Sequence, residues 1–157
     1  MSCCHRLQLR LRTALYLFAA FAVVLPARAA NEIIPNAADL ALLQQRAAQA
    51  KPSEQSYLYT ELVHGLTQQA AAQIAADDTD KATATIRQID QVTPLIQRNL
   101  AHDSKRLKDA ELLLQDTTYR LGQILHRLNG DDRSTVQDTL KHLNHLNDEL
   151  LKQVFTH

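Results

Sequence analysis

The sequence predicts an all-α protein, an antiparallel bundle of four to five helices. Three observations predict it. Ala, Leu and Gln, all good helix formers, dominate the chain. Beyond Pro26, backbone punctuation is limited to Gly65, Gly122, Gly130, Pro35, Pro52 and Pro94. Apolar residues recur at three- to four-residue spacing, so each segment has one face to bury, and amphipathic helices joined by short connections form a bundle.

The first element is not expected to belong to that bundle. Arg6, Arg10 and Arg12 precede an apolar run from Ala14 to Leu25, which Pro26 ends, and Ala27-Arg28-Ala29 follows. This is the order of a cleavable secretory signal peptide, assigned to residues 1–29, with residues 30–157 as a single helical domain. The run is shorter than the roughly 20 apolar residues of a spanning helix. The expected product is therefore exported, periplasmic or secreted, with no transmembrane segment in the mature chain.

Removal of residues 1–29 changes the composition. Arg6, Arg10, Arg12 and Arg28 leave with them, so 13 basic side chains face 17 acidic ones (17 − 4 = 13) and the net charge moves from zero to −4. A mildly acidic domain lacks the clustered basic face of a nucleic-acid partner. Cys3, Cys4 and Met1 are lost as well, so the domain must hold together by packing, without a disulfide.

The helices follow in order. Asn36 is a cap for a first helix, to about Lys51, with Asp39 facing its positive end. Ser53 is a cap for a second, from about Glu54 to Ala76, with Tyr59, Val63, Leu66, Ala70 and Ile74 on its buried stripe. Asp77-Asp78-Thr79-Asp80 starts a third, kinked or interrupted near Pro94, with Ala82, Ile86, Ile89, Ile96 and Leu100 inward. A separate helix from about Ser104 to Leu128, introduced by His102-Asp103-Ser104, buries Leu107, Ala110, Leu114, Leu121, Leu125 and Leu128. Asn129-Gly130 stops it, and Asp131-Asp132 starts the last helix, to about Phe155, with Val136, Leu140, Leu143, Leu150 and Val154 inward. Gly65 and Gly122 are candidate close approaches between helices.

A faint internal echo accompanies this order. Asp77-Asp78 precedes Thr85-Ile86 at the spacing with which Asp131-Asp132 precedes Thr139-Leu140. Two stacked helical hairpins would produce it, and so would two ordinary acidic caps; the caps are the favoured reading because little else aligns.

The turn Ala75-Ala76-Asp77-Asp78-Thr79-Asp80-Lys81-Ala82 resembles the junction between the two helices of a tetratricopeptide repeat. One such unit at most is covered, and that family's peptide-groove function does not come with it. Leu66-Thr67-Gln68-Gln69 approaches the L-T-x-x-Q motif of small helical periplasmic stress chaperones, but Ala70 stands where the motif has glutamine. From Tyr57 to His157, through YLYTELVH, DSKRLKDAELLL and LLKQVFTH, the chain resembles exported bacterial all-helical proteins of uncharacterised function. That resemblance implies no activity.

Candidate sites are few. His142, His145 and Glu149 share a helical face, and imidazole with carboxylate at this spacing can bind a divalent transition metal such as zinc, copper or nickel. The simpler reading of that face, opposite Leu140, Leu143 and Leu150, is a solvated polar surface. Tyr57, Glu61, His64 and Gln68 form a polar-aromatic strip, either a binding surface or hydrogen bonds to a neighbouring helix. No cofactor is expected: C-x-x-C-H and a mature-chain methionine are absent, and three scattered glycines make no phosphate loop. No catalytic residue is assigned, because Ser53, Ser104 and Ser134 are explained as caps and no nucleophile–base constellation exists. The expected function is a non-enzymatic protein-interaction or structural module, with another protein or a second copy as partner. The alternative is a metal- or small-ligand-binding protein using the His142/His145/Glu149 face.

Overall fold

The computed structural model describes residues 34–100 and 106–156, in which five α-helices and no strands are found. They are α1 (Ala37–Gln49), α2 (Pro52–Ala75), α3 (Thr79–Asn99), α4 (Leu107–Leu125) and α5 (Gly130–Thr156). The expected signal peptide and the His102-Asp103-Ser104 cap lie outside the described residues. No described helix is long and apolar enough to cross a membrane.

Local chemistry accounts for the starts of the first three helices. Asn36 caps α1, its Oδ1 accepting from the Asp39 N–H at 2.9 Å. Asp78 caps α3 through the Lys81 N–H. Ser53 is not the cap of α2: Pro52 occupies the first helical position, where its missing N–H costs nothing, and Lys51 precedes it. Nor does Pro94 interrupt α3, which runs unbroken to Asn99. Only one more turn follows that proline.

The four long helices form a ring in the order α2, α3, α5, α4, and α1 straps the outside of α2. Short turns make two antiparallel hairpins, α2–α3 and α4–α5. Between the hairpins the helices run parallel. Along α2 and α4, Tyr57 meets Arg106 and His64 meets Thr117. Along α3 and α5, Thr83 meets Asp132, Asp90 meets His142 and Gln97 meets Glu149. α3 and α4 therefore stand diagonally opposite in the ring.

Both halves of the internal echo fall at helix starts, Asp78 as the cap of α3 and Asp131 and Asp132 in the first turn of α5, and each start belongs to an antiparallel hairpin. A shift of 54 residues (Ser56 to Ala110) carries ten buried positions of one hairpin onto buried positions of the other. Buried Ser56, Thr60, Val63, Thr67 and Ala70 fall on buried Ala110, Leu114, Thr117, Leu121 and Ile124. Likewise Ala82, Thr85, Ile89, Val92 and Ile96 fall on Val136, Thr139, Leu143, Leu146 and Leu150. Left-handed turn residues sit 53 apart instead, at Asp77 (φ 61) and Gly130 (φ 60).

The core between the hairpins is leucine, isoleucine and valine interleaved with threonine. Thr60, Thr67, Thr93, Thr117 and Thr139 return their hydroxyls to the carbonyl four residues earlier, at 2.7–3.0 Å. A buried hydroxyl satisfied inside its own helix makes no demand on its neighbours, so threonine serves there as an apolar residue.

Candidate functional site

The strap borders a concave feature among the described residues. α1 is held on α2 chiefly by Leu40 and Ala47, and Gly65 admits Leu40: a Cβ at Gly65 would stand 2.7 Å from Leu40 Cδ2 and 3.3 Å from Pro35 Cγ. The expected close approach at Gly65 is thus real, whereas Gly122 has open space around it. Because α1 rests on α2 without filling the angle between α2 and α3, a trough of about 630 Å³ remains.

Leu40 of α1, Leu62 and Leu66 of α2, and Val92 and Leu95 of α3 supply its apolar surface. Gln44, Gln69, Gln73, Gln88 and Gln91 supply most of its polar lining. Gln73 accepts from the Thr85 hydroxyl at 2.8 Å. Lys81 is the one charged residue in the lining, and it is paired with Asp78, whose carboxyl it holds below the usual carboxylate range. In a chain with 22% charged residues, a surface this neutral is a distinct environment. Its size and apolar floor are those of a ligand or peptide site.

The Tyr57, Glu61, His64 and Gln68 strip lies along the parallel α2–α4 seam. Arg106 stacks on the Tyr57 ring, its guanidinium carbon 3.3 Å from the centroid. Burial, with the nearby Glu61 carboxylate second, pushes the Tyr57 phenol above its ordinary pKa. His64 is fixed by a directional chain. Gln68 donates to its Nε2 at 3.0 Å, its Nδ1 donates to Thr117 Oγ1 at 3.3 Å, and Thr117 donates to the Leu113 carbonyl at 2.7 Å. Because Thr117 spends its proton on that carbonyl, Nδ1 is the protonated nitrogen of the neutral ring. Asp116, itself paired with Arg120 at 2.6 Å, stands 3.6 Å from the same nitrogen. These contacts join helices within the bundle.

His142, His145 and Glu149 lie on the other seam, facing α3. His142 Nδ1 is 2.6 Å from Asp90 Oδ1, and Glu149 accepts from Gln97 at 2.9 Å. His145 Nδ1 lies 3.7 Å from Glu149 Oε1. Both histidines border a cleft of about 190 Å³ with Thr93, Pro94, Gln97 and Leu146. Among the described residues no three His, Cys, Asp or Glu side chains converge as a ligand set for a metal. Both histidines are exposed, His142 at 59% and His145 at 71%, as a solvated polar face requires, while His142 and Glu149 also reach α3.

Ser134 lies inside α5, its hydroxyl donating to the Asp131 carbonyl at 2.7 Å. The trough itself has no signature in the sequence. It arises from where α1 docks, and only the glutamine content along α2 and α3 hints at it. No protein-family model, curated protein or solved structure matches this chain.

Proposed function

We propose that this chain is an exported, non-enzymatic protein-interaction module whose contact surface is the trough between α1, α2 and α3. The trough carries this reading: it is a concave surface of about 630 Å³, apolar at its floor and almost free of charge. The leader-like pattern of residues 1–29 supports export, and a mature chain beginning at Ala30 or Asn31 in periplasmic or secreted material is the expected result. Ala41 and Ala84 line the trough from exposed helix positions, so arginine there fills the site without entering the core. A partner protein is expected to co-purify with the wild-type chain and to be lost from A41R/A84R. Retention of every co-purifying protein by that variant would refute the assignment of the surface.

A second reading places a divalent transition metal at His142 and His145. Its support is specific: a carboxylate stands behind each imidazole, Asp90 at His142 and Glu149 at His145. Outer carboxylates of this kind orient ligating histidines and leave Nε2 for the metal. On this reading Glu149 works through His145. Calorimetric titration with Cu²⁺, Ni²⁺ and Zn²⁺ tests it: stoichiometric binding that disappears in H142A/H145A supports the site, and equal binding by both proteins removes it.

A further inference from the structure

We infer that the trough binds an extended, uncharged polypeptide segment by its main chain, with the occupant's aliphatic side chains set on the leucine–valine floor. This rests on the proposal that the trough is the contact surface, and names what it takes.

The amides decide the chemistry. Among the described residues, Gln44, Gln69, Gln88 and Gln91 make no side-chain hydrogen bond within the protein, although all four border the trough. A primary amide offers donors and an acceptor side by side and carries no charge. Its complement is a group that also donates and accepts at neighbouring atoms, and the peptide unit is such a group, with one N–H and one C=O per residue. Binding an anion or a cation would call for charge in the wall. The only charged lining residue is Lys81, and Asp78 already engages it.

Geometry argues for an extended occupant over a helical one. A helix satisfies its main-chain groups internally, so its apolar face would offer these glutamines nothing and would desolvate them at a cost. An extended strand leaves its main chain open on both edges. Along α3 the lining runs from Lys81 to Leu95. Those fourteen helical steps span about 21 Å, the length of about six extended residues. Alternate side chains would then point to the floor made by Leu62, Leu66, Val92 and Leu95, and the others to solvent, as in other strand-recognition modes.

The test is fluorescence anisotropy on the full mature chain with three labelled octapeptides: a neutral Leu/Val/Ser sequence, the same sequence with alternate backbone nitrogens methylated, and a helix-locked version. The neutral peptide is expected to bind, and methylation to weaken it about tenfold or more, since the side chains are unchanged and only N–H donors are lost. Q88A/Q91A, at exposed positions, should weaken the neutral peptide by a similar factor while its circular dichroism melt matches wild type. Equal affinity for the methylated or helix-locked peptide, or indifference to Q88A/Q91A, overturns main-chain recognition. If A41R/A84R still abolishes binding in that case, the contact-surface reading survives. If no peptide binds, the inference fails, and the A41R/A84R co-purification result decides the broader reading separately.

Discussion

The two hairpins share ten buried positions and differ along one further face. On α3 the residues lining the trough include Gln88, Gln91, Val92 and Leu95; 54 residues on, α5 has His142, His145, Leu146 and Glu149. On α2 the trough uses Leu62, Leu66 and Gln73, and α4 has Asp116, Arg120 and Arg127 at the matching places. In the second hairpin this face turns toward the first hairpin and is occupied by charge pairs and histidine contacts. In the first it lies toward α1, is neutral, and sets buried Leu62, Leu66 and Val92 beside exposed Gln88 and Gln91. The two candidate sites are therefore one helix face used twice, once as a seam and once as a trough. Core burial fixes the stacking, and the lining of that face is free to differ.

The largest test of the comparison is in the core. Ile89 and Leu143 are equivalent and both fully buried, at 0% exposure. Ile89→Ala and Leu143→Ala should each lower unfolding stability by about 2–5 kcal/mol through lost burial and a residual cavity. The two losses should agree closely if the hairpins are equivalent layers of one cooperative unit. Chemical denaturation measures both. Two separate transitions in either variant would show that the hairpins fold independently and break the equivalence.

The fold was legible where burial controls it. Ala82, Ile86, Ile89, Ile96 and Leu100 are all buried on the stripe their spacing marks out, because periodicity reports which face leaves water. The correspondence between the hairpins was scarcely legible, because it lies in burial and not in identity: Thr60 matches Leu114, Val63 matches Thr117 and Thr67 matches Leu121. A threonine that bonds its own helix substitutes for an aliphatic residue in a core, and a sequence comparison by identity passes over it. The trough was illegible, since it depends on where α1 comes to rest. Gly65 carried a partial signal, marking a close approach without saying to what. The His142 face was found as a cluster, but its partners Asp90 and Gln97 sit on another helix, which spacing along one helix cannot reveal.

Glycine supplies the next test. Gly122→Ala should stabilise by about 1 kcal/mol, since alanine is the better helix former and the added methyl meets nothing. At Gly65 the same intrinsic gain is opposed by the Leu40 contact, so Gly65→Ala should fall short of that gain and loosen α1. Thermal melts read both changes, and faster amide exchange confined to residues 37–49 of Gly65→Ala would locate the loss in the strap. Equal stabilisation by the two substitutions would mean that α1 does not depend on this contact.

The hairpin turns differ in a smaller way. Each needs a left-handed residue; the second uses Gly130 and the first uses Asp77, which has a Cβ to accommodate. Asp77→Gly should stabilise and Gly130→Ala destabilise, each by about 1 kcal/mol, the steric cost of φ > 0 for a residue with a side chain. Both changes are measured by denaturant midpoint. The same sign for both would show that the turns are not equivalent.

The smallest effect is electrostatic and belongs to the first turn. The Lys81 side chain, by hydrogen bonding to Asp78, holds that carboxyl below its ordinary pKa, and the Lys81 backbone N–H adds to it. A carboxyl depressed in the folded state binds its proton more readily when unfolded, so stability rises with pH through this range. The contribution is complete above the ordinary carboxylate value of about 4 and is lost as pH falls through the lower folded value. Asp78 and Lys81 are on the surface, so the effect should be small and screened by salt. The melting temperatures of wild type and Asp78→Asn should differ slightly at pH 6 and low salt. They should converge in 1 M NaCl, and again as the pH falls through the depressed folded value. A difference that persists in acid would assign the role of Asp78 to the uncharged part of its cap, its acceptance from the Lys81 backbone N–H, which asparagine reproduces less well.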